Sequence, residues 1–191
     1  MIGPGERTMK TCLMLGLALG ALQLQACSPP AEKADPAAPA ASAPAAAAII
    51  TIDGEGLSIG APGATATRLA FGASQAQVIA AFTAVQGAPA DQGEQSECGP
   101  GPLSYARWDG GTNLSFSDGA FAGYDTSDAA LVTAGGIHAG STRAQLDAAS
   151  PGPIEETSLG REFGLNGVFG ILHEDGTMVT TLFAGANCFA R

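Results

Sequence analysis

The feature that most restricts the fold is a seven-residue pattern that recurs with its Gly, Ala and Gln identical and its other places similar. Gly72-Ala73-Ser74-Gln75-Ala76-Gln77-Val78 returns 68 positions later as Gly140-Ser141-Thr142-Arg143-Ala144-Gln145-Leu146. Self-similarity at a fixed offset marks one supersecondary unit used twice. Ser74 with Gln77, and Thr142 with Gln145, each place a hydroxyl three residues before an amide. That is the spacing of a capping box, in which the two side chains satisfy orphan N–H groups at a helix start. Each copy is therefore expected to open a helix. In the first, Val78, Ile79, Phe82 and Val85 fall at helical spacing until Gly87-Ala88-Pro89 ends it. In the second, Leu146 and Ala149 continue the apolar face only as far as Pro151-Gly152-Pro153, so that helix is short.

Strand-like segments with turn punctuation follow each helix. After the first come Leu103 to Trp108, Asn113 to Phe116 and Phe121 to Tyr124, separated by Asp109-Gly110-Gly111 and Asp118-Gly119. After the second come Arg161 to Leu165, Gly167 to His173 and Thr177 to Gly185, with a turn at Glu174-Asp175-Gly176. An extra hairpin, Ile49 to Ile52 and Leu57 to Ile59, opens the domain around Asp53-Gly54. The expected fold class is α+β. Two tandem helix-plus-meander units, about 66–125 and 134–188, would share an antiparallel sheet with the helices on one face. Residues 49–191 are long enough to bury a core of their own and are read as a single domain.

The preceding residues have a different character. Arg7 and Lys10 lead into an uncharged apolar run from Cys12 to Leu24, followed by Gln25-Ala26-Cys27. This basic, apolar, small-residue order is that of a signal peptide spanning 1–26. The run is shorter than the roughly 20 residues a helix needs to span a bilayer. Met9 would serve as a start as well as Met1, and either gives the same mature chain. Leu24-Gln25-Ala26-Cys27 resembles the lipobox of bacterial lipoproteins, which implies cleavage before Cys27, lipid on its thiol and attachment to a membrane facing the periplasm. Ser28 resembles the residue type that permits sorting to an outer membrane. An ordinary secreted protein cut after Ala26 is the competing expectation. From residue 28 to 48 the chain is nearly all Ala, Pro and Ser, with prolines at 29, 30, 36, 39 and 44, so 27–48 reads as a lipidated cysteine and an extended tether.

With Cys12 removed and Cys27 lipidated, Cys98 and Cys188 remain as an even pair in an oxidising compartment and are expected to form a disulfide. A lipobox, an Ala/Pro tether and the Gly-x-[Ser/Thr]-x-x-Gln-[Val/Leu] helix start also resemble the β-lactamase-inhibitor-protein-like superfamily. The resemblance covers about residues 66–188 in outline. Its specific content is Gly72, Ser74, Gln77 and Val78 with Gly140, Thr142, Gln145 and Leu146, which cap and pack helices and say nothing of a partner.

Asp and Glu number 18 against 8 Lys and Arg, a net charge of −10. Such a surface has no electrostatic footprint for nucleic acid or broad contact with anionic lipid. The only histidines, His138 and His173, have no Cys-His spacing for zinc, no Gly-x-Ser-x-Gly elbow is present, and the glycines at 54, 56 and 60 miss the dinucleotide-loop spacing. No catalytic residue, cofactor or metal is therefore expected. Tyr105, Arg107, Trp108 and Tyr124 are the candidate partner-binding residues, since Trp, Tyr and Arg are frequent interface anchors. Core packing is the competing role for those aromatics. The functional expectation is a tethered, non-enzymatic protein-interaction module that binds another envelope or exported protein. The alternative is a small envelope enzyme or ligand-binding protein whose pocket leaves no motif, using His138 or His173 with a carboxylate.

Overall fold

The computed structural model describes residues 48–188. The segments read from the sequence as a signal peptide, a lipidated Cys27 and a tether lie, up to residue 47, outside the described residues. Twelve strands and two helices follow one another in the order β1 (Ile49–Asp53), β2 (Gly56–Gly60), β3 (Thr67–Ala70), α1 (Gln75–Gln86), β4 (Asp91–Gln95), β5 (Leu103–Trp108), β6 (Thr112–Ser117), β7 (Ala120–Thr126), β8 (Leu131–Thr133), α2 (Arg143–Ala148), β9 (Glu155–Thr157), β10 (Gly160–Leu165), β11 (Val168–Leu172) and β12 (Val179–Gly185).

The strands form two sheets. One has four strands in the order β3-β2-β1-β8, and the other has eight in the order β4-β5-β6-β7-β12-β11-β10-β9. Only β1 and β8 pair in parallel; the other pairs are antiparallel. In the large sheet the run β4 to β7 meets the run β9 to β12 where β7 pairs β12.

This overturns the α+β expectation. The domain is mostly β, and what faces the large sheet is a second sheet, not a layer of helices. The helices are 12 and 6 residues long, and their fully buried side chains are Val78 and Phe82 from α1 and Leu146 from α2. Three side chains are too few to cover eight strands. The opening hairpin does so by recruiting β3 and β8, and Ile50, Ile52, Leu57, Leu69 and Leu131 join one core cluster with Leu114, Tyr124, Phe163 and Leu182 from the large sheet. Burying that apolar surface is the main stabilising term.

Local chemistry explains how the ends meet. The Tyr124 hydroxyl donates across the core to the Asp53 carbonyl at 2.9 Å, tying the large sheet to the end of β1. Beside it the β1–β2 and β10–β11 turns touch: a Cβ on Gly54 would lie 2.7 Å from the Gly167 Cα, so the approach needs glycine. The Thr142–Gln145 capping box is formed as expected, but Ser74 makes no side-chain cap to α1. Its backbone instead bridges to Ala120, and the Gln75 N–H donates to Gly119. At the other end of α1, Phe82 lies 4.6 Å from the Trp108 ring, centroid to centroid, and Trp108 Nε1 donates to the Gly87 carbonyl at 2.8 Å.

The Cys98–Cys188 disulfide is formed, with Cα atoms 4.9 Å apart. It joins the loop between β4 and β5 to the chain leaving β12. That chain passes close over β7: a Cβ on Gly123 would collide with the Ala186 backbone, and the Ala186 N–H donates to Ala122.

Candidate functional site

Strand register sorts the four candidate residues onto opposite faces of the large sheet. Trp108, Thr112, Thr126 and Leu182 are cross-strand partners, all buried, and mark the inner face. Trp108 is 4% exposed and Tyr124 0% exposed, so both fill the core and do not share a surface with the other two. Burial pushes the Tyr124 phenol well above its ordinary range. Tyr105 and Arg107 alternate with Trp108 along β5 and lie on the outer face.

There the structure assembles a polar row that the sequence did not disclose. Asp91 on β4, Arg107 on β5, Asn113 on β6 and Asp125 on β7 stand opposite one another in register. The row continues through Phe183 on β12 to Phe169 on β11, whose rings stack at 5.8 Å, with Phe169 exposed. The Arg107 guanidinium lies 3.7 Å from the Asp91 carboxylate and 5.1 Å from the Tyr105 ring centroid. Tyr105 donates its hydroxyl to Asp91 at 3.0 Å, and that bond holds the phenol above its ordinary pKa. Gly93, opposite Tyr105, leaves the room this ring needs, since a Cβ there would come within 2.9 Å of the hydroxyl.

Further along the row, Asn113 Nδ2 donates to Asp125 at 2.9 Å. Burial raises the Asp125 carboxyl above the usual range, opposed by that hydrogen bond and by Arg107. Asn113 Oδ1 is buried and, among the described residues, receives no hydrogen bond. An acceptor withdrawn from water without a donor costs about 1–3 kcal/mol.

Charge limits what the row can meet. The four described arginines all face carboxylates: Arg68 with Asp53, Arg107 with Asp91, Arg143 with Asp147 and Arg161 with Glu156. Bonding to Arg68 lowers the pKa of Asp53. No arginine is left over to hold a phosphate or nucleic-acid backbone among the described residues, and anionic partners are disfavoured.

The histidines are separated. His138 Nδ1 lies 2.8 Å from the Ala139 carbonyl, and its backbone N–H donates to Ser141 just before α2. His173 lies in the β11–β12 turn with Nδ1 3.1 Å from Asp175. The Asp175 carboxyl is pulled down to about 2, first by bonds from the Thr177 hydroxyl and N–H and then by His173. Among the described residues no group of three His, Cys, Asp or Glu could hold a metal, and no helix is long and apolar enough to cross a membrane.

Of the recesses elsewhere among the described residues, two lie against helix ends. One of about 310 Å³ is bounded by Gln75, Glu94, Ser104, Phe116 and Asp118 near the start of α1. The other, of about 320 Å³, lies between the end of β1, the β10–β11 hairpin and the end of α2. No protein-family model matches the chain, and searches of curated proteins and of solved structures return no match.

Proposed function

We propose that this chain is an exported, lipid-anchored interaction module that binds another envelope or exported protein through the outer face of its large sheet. In this reading Cys27 carries the lipid, residues 28–48 set the reach from an outer membrane, and the folded domain does no covalent chemistry. The observation that carries it is the outer-face row itself, in which exposed Arg107 and half-buried Tyr105 stand against Asp91 and the row runs on to exposed Phe169. Arg107 and Tyr105 are of the residue types that most often anchor interfaces. Double substitution of Tyr105 and Arg107 by alanine removes only half-buried or exposed atoms, so the fold should survive it.

The test is cross-linking of the lipidated protein in its own cells with mass spectrometry of what is captured, using Cys27→Ser to report the contribution of the anchor. A dominant partner that is lost in the Tyr105→Ala/Arg107→Ala variant, while thermal unfolding is unchanged, is the expected result. Capture that persists undiminished in that variant would remove this face from consideration.

A further inference from the structure

We propose that the cleft between the end of β1, the β10–β11 hairpin and the end of α2 binds a small, uncharged, mainly apolar molecule that carries a hydrogen-bond donor. This is independent of the outer-face reading, because it concerns the opposite side of the large sheet. The cleft measures about 320 Å³, at the lower end of the roughly 300–1,000 Å³ of ligand sites, which favour the junctions between layers. Its floor is apolar and shared by both sheets, with Ile52 from the small one and Leu165 and Val168 from the large one. The facing wall is made of small residues, Ala134 and Gly135 after β8 and Ala148 and Ala149 at the end of α2. Any of the three alanines replaced by leucine would occupy part of this space, so the opening exists because those side chains are short.

The opening is also held in place. The Gly54–Gly167 contact brings the two turns together at one end, the Tyr124 hydroxyl grips the Asp53 carbonyl, and Arg68 and the Glu55 N–H fix the Asp53 carboxylate. Such prior ordering reduces what a ligand must spend on arranging its site. The cleft is not wholly apolar: buried Thr133 also lines it, with its hydroxyl oxygen already accepting from the Ile137 N–H at 3.0 Å. Asp53 and Asn166 line the cleft too, and the Asn166 side chain makes no hydrogen bond among the described residues. Asp53 offers acceptor oxygens and Asn166 both an acceptor and donors, so a ligand N–H or O–H finds an acceptor on either. The Asp53 carboxylate is already paired with Arg68, so the cleft offers no net charge to an ion of either sign, and an ionic ligand would lose its hydration without compensation. A ring-sized molecule with one N–H or O–H remains.

Indole is a suitable probe, being flat, apolar and equipped with one N–H. Titrated into the ¹⁵N-labelled full-length chain, it should give saturable amide shifts confined to residues 52–53, 133–135, 148–149 and 165–168, with half-saturation below about 1 mM. Indole-3-carboxylate should bind at least about tenfold more weakly, a difference of about 1.4 kcal/mol. Ala149→Leu and Ala134→Leu, which approach the space from different elements, should each abolish the shifts, and either one with an unaltered spectrum elsewhere suffices to show it. Absence of saturable shifts in the wild-type chain, shifts spread over the whole domain, or equal binding of indole by both leucine variants would overturn the proposal.

Discussion

Removing the Cys98–Cys188 bond should cost the domain several kcal/mol while leaving its unfolding rate almost unchanged. The bond closes a loop between residues 90 positions apart. The chain-entropy treatment of a loop that size gives about 4 to 5 kcal/mol at 25 °C, acting by restricting the unfolded chain. Since domains of this kind are stable by about 5–15 kcal/mol, the loss would be a third or more of the total. In the native state the bond has less to hold. The Ala186 N–H already donates to Ala122, and Asn187 Nδ2 donates to the Ala184 and Gly185 carbonyls at 3.1 and 3.2 Å, so the passage over β7 has its own fastenings. The Cys98→Ala/Cys188→Ala variant should therefore lose its stability through slower folding and a more expanded unfolded state. Urea unfolding should report a lower midpoint and a larger m-value, and stopped-flow kinetics should show the change in the folding limb. A loss below about 1 kcal/mol would contradict the entropy argument. A full-sized loss appearing wholly as faster unfolding would show that the bond instead anchors the chain after β12 in the native state.

Tyr124→Phe deletes the hydroxyl that joins the two sheets and leaves the Asp53 carbonyl without its donor, a loss of about 1–3 kcal/mol; an unchanged urea midpoint would refute that role. Gly54→Ala forces a Cβ to within 2.7 Å of the Gly167 Cα and must push the β1–β2 and β10–β11 turns away from each other, costing about 1–3 kcal/mol by overpacking, which thermal unfolding would detect and equal stability would contradict. The depressed Asp175 pKa gives the β11–β12 turn a stabilising contribution that is fully present above the unfolded carboxylate range and lost as pH falls through about 2. NMR titration of the Thr177 amide should place that midpoint near 2, and a midpoint near the ordinary 3.8 would sink the account. Asp125 runs the other way, since its raised pKa makes stability fall as pH rises from the unfolded carboxylate range through the higher folded value. Asp125→Asn should flatten that limb of the urea midpoint against pH, and an unaltered profile would assign the slope to another group.

Helix positions and the inner strands were legible because burial imprints a pattern on them. Val78 and Phe82 set the face of α1, and the segment 103–108 was readable from its aromatic and apolar content. The strands that escaped notice were β3, β4, β8 and β9, which are the four edges of the two sheets. An edge strand need not bury a face, so it need not alternate. Asp91-Gln92-Gly93-Glu94-Gln95 and Glu155-Glu156-Thr157 contain no large apolar residue, and periodicity cannot find them. Missing β3 and β8 hid the second sheet, and with it the fact that a sheet occupies the place assigned to helices. The candidate site suffered for a related reason. In Leu103-Ser104-Tyr105-Ala106-Arg107-Trp108 both alternating sets contain a large apolar residue. Nothing local says whether Tyr105 and Arg107 or Trp108 face the core. Asp91 and Arg107 could not be paired without knowing that β4 exists.

The same edges bear on how the domain would behave if it is held on a membrane tether, as its first 48 residues lead one to expect. Anchoring raises local concentration, and open sheet edges are templates for pairing with another copy. The exposed ends of the large sheet are the two strands richest in acid for their length, with Asp91 and Glu94 on one and Glu155 and Glu156 on the other. Edge-to-edge approach of two copies would bring like charges together, a destabilising arrangement in cross-strand pairs. The outer face has a different composition, with an aromatic stack and a half-exposed arginine. Charge on the edges therefore discourages self-association of the large sheet. Neutralising Glu94, Glu155 and Glu156, and sparing Asp91 because it holds Arg107 and Tyr105, should therefore promote self-association without altering the proposed capture by the outer face.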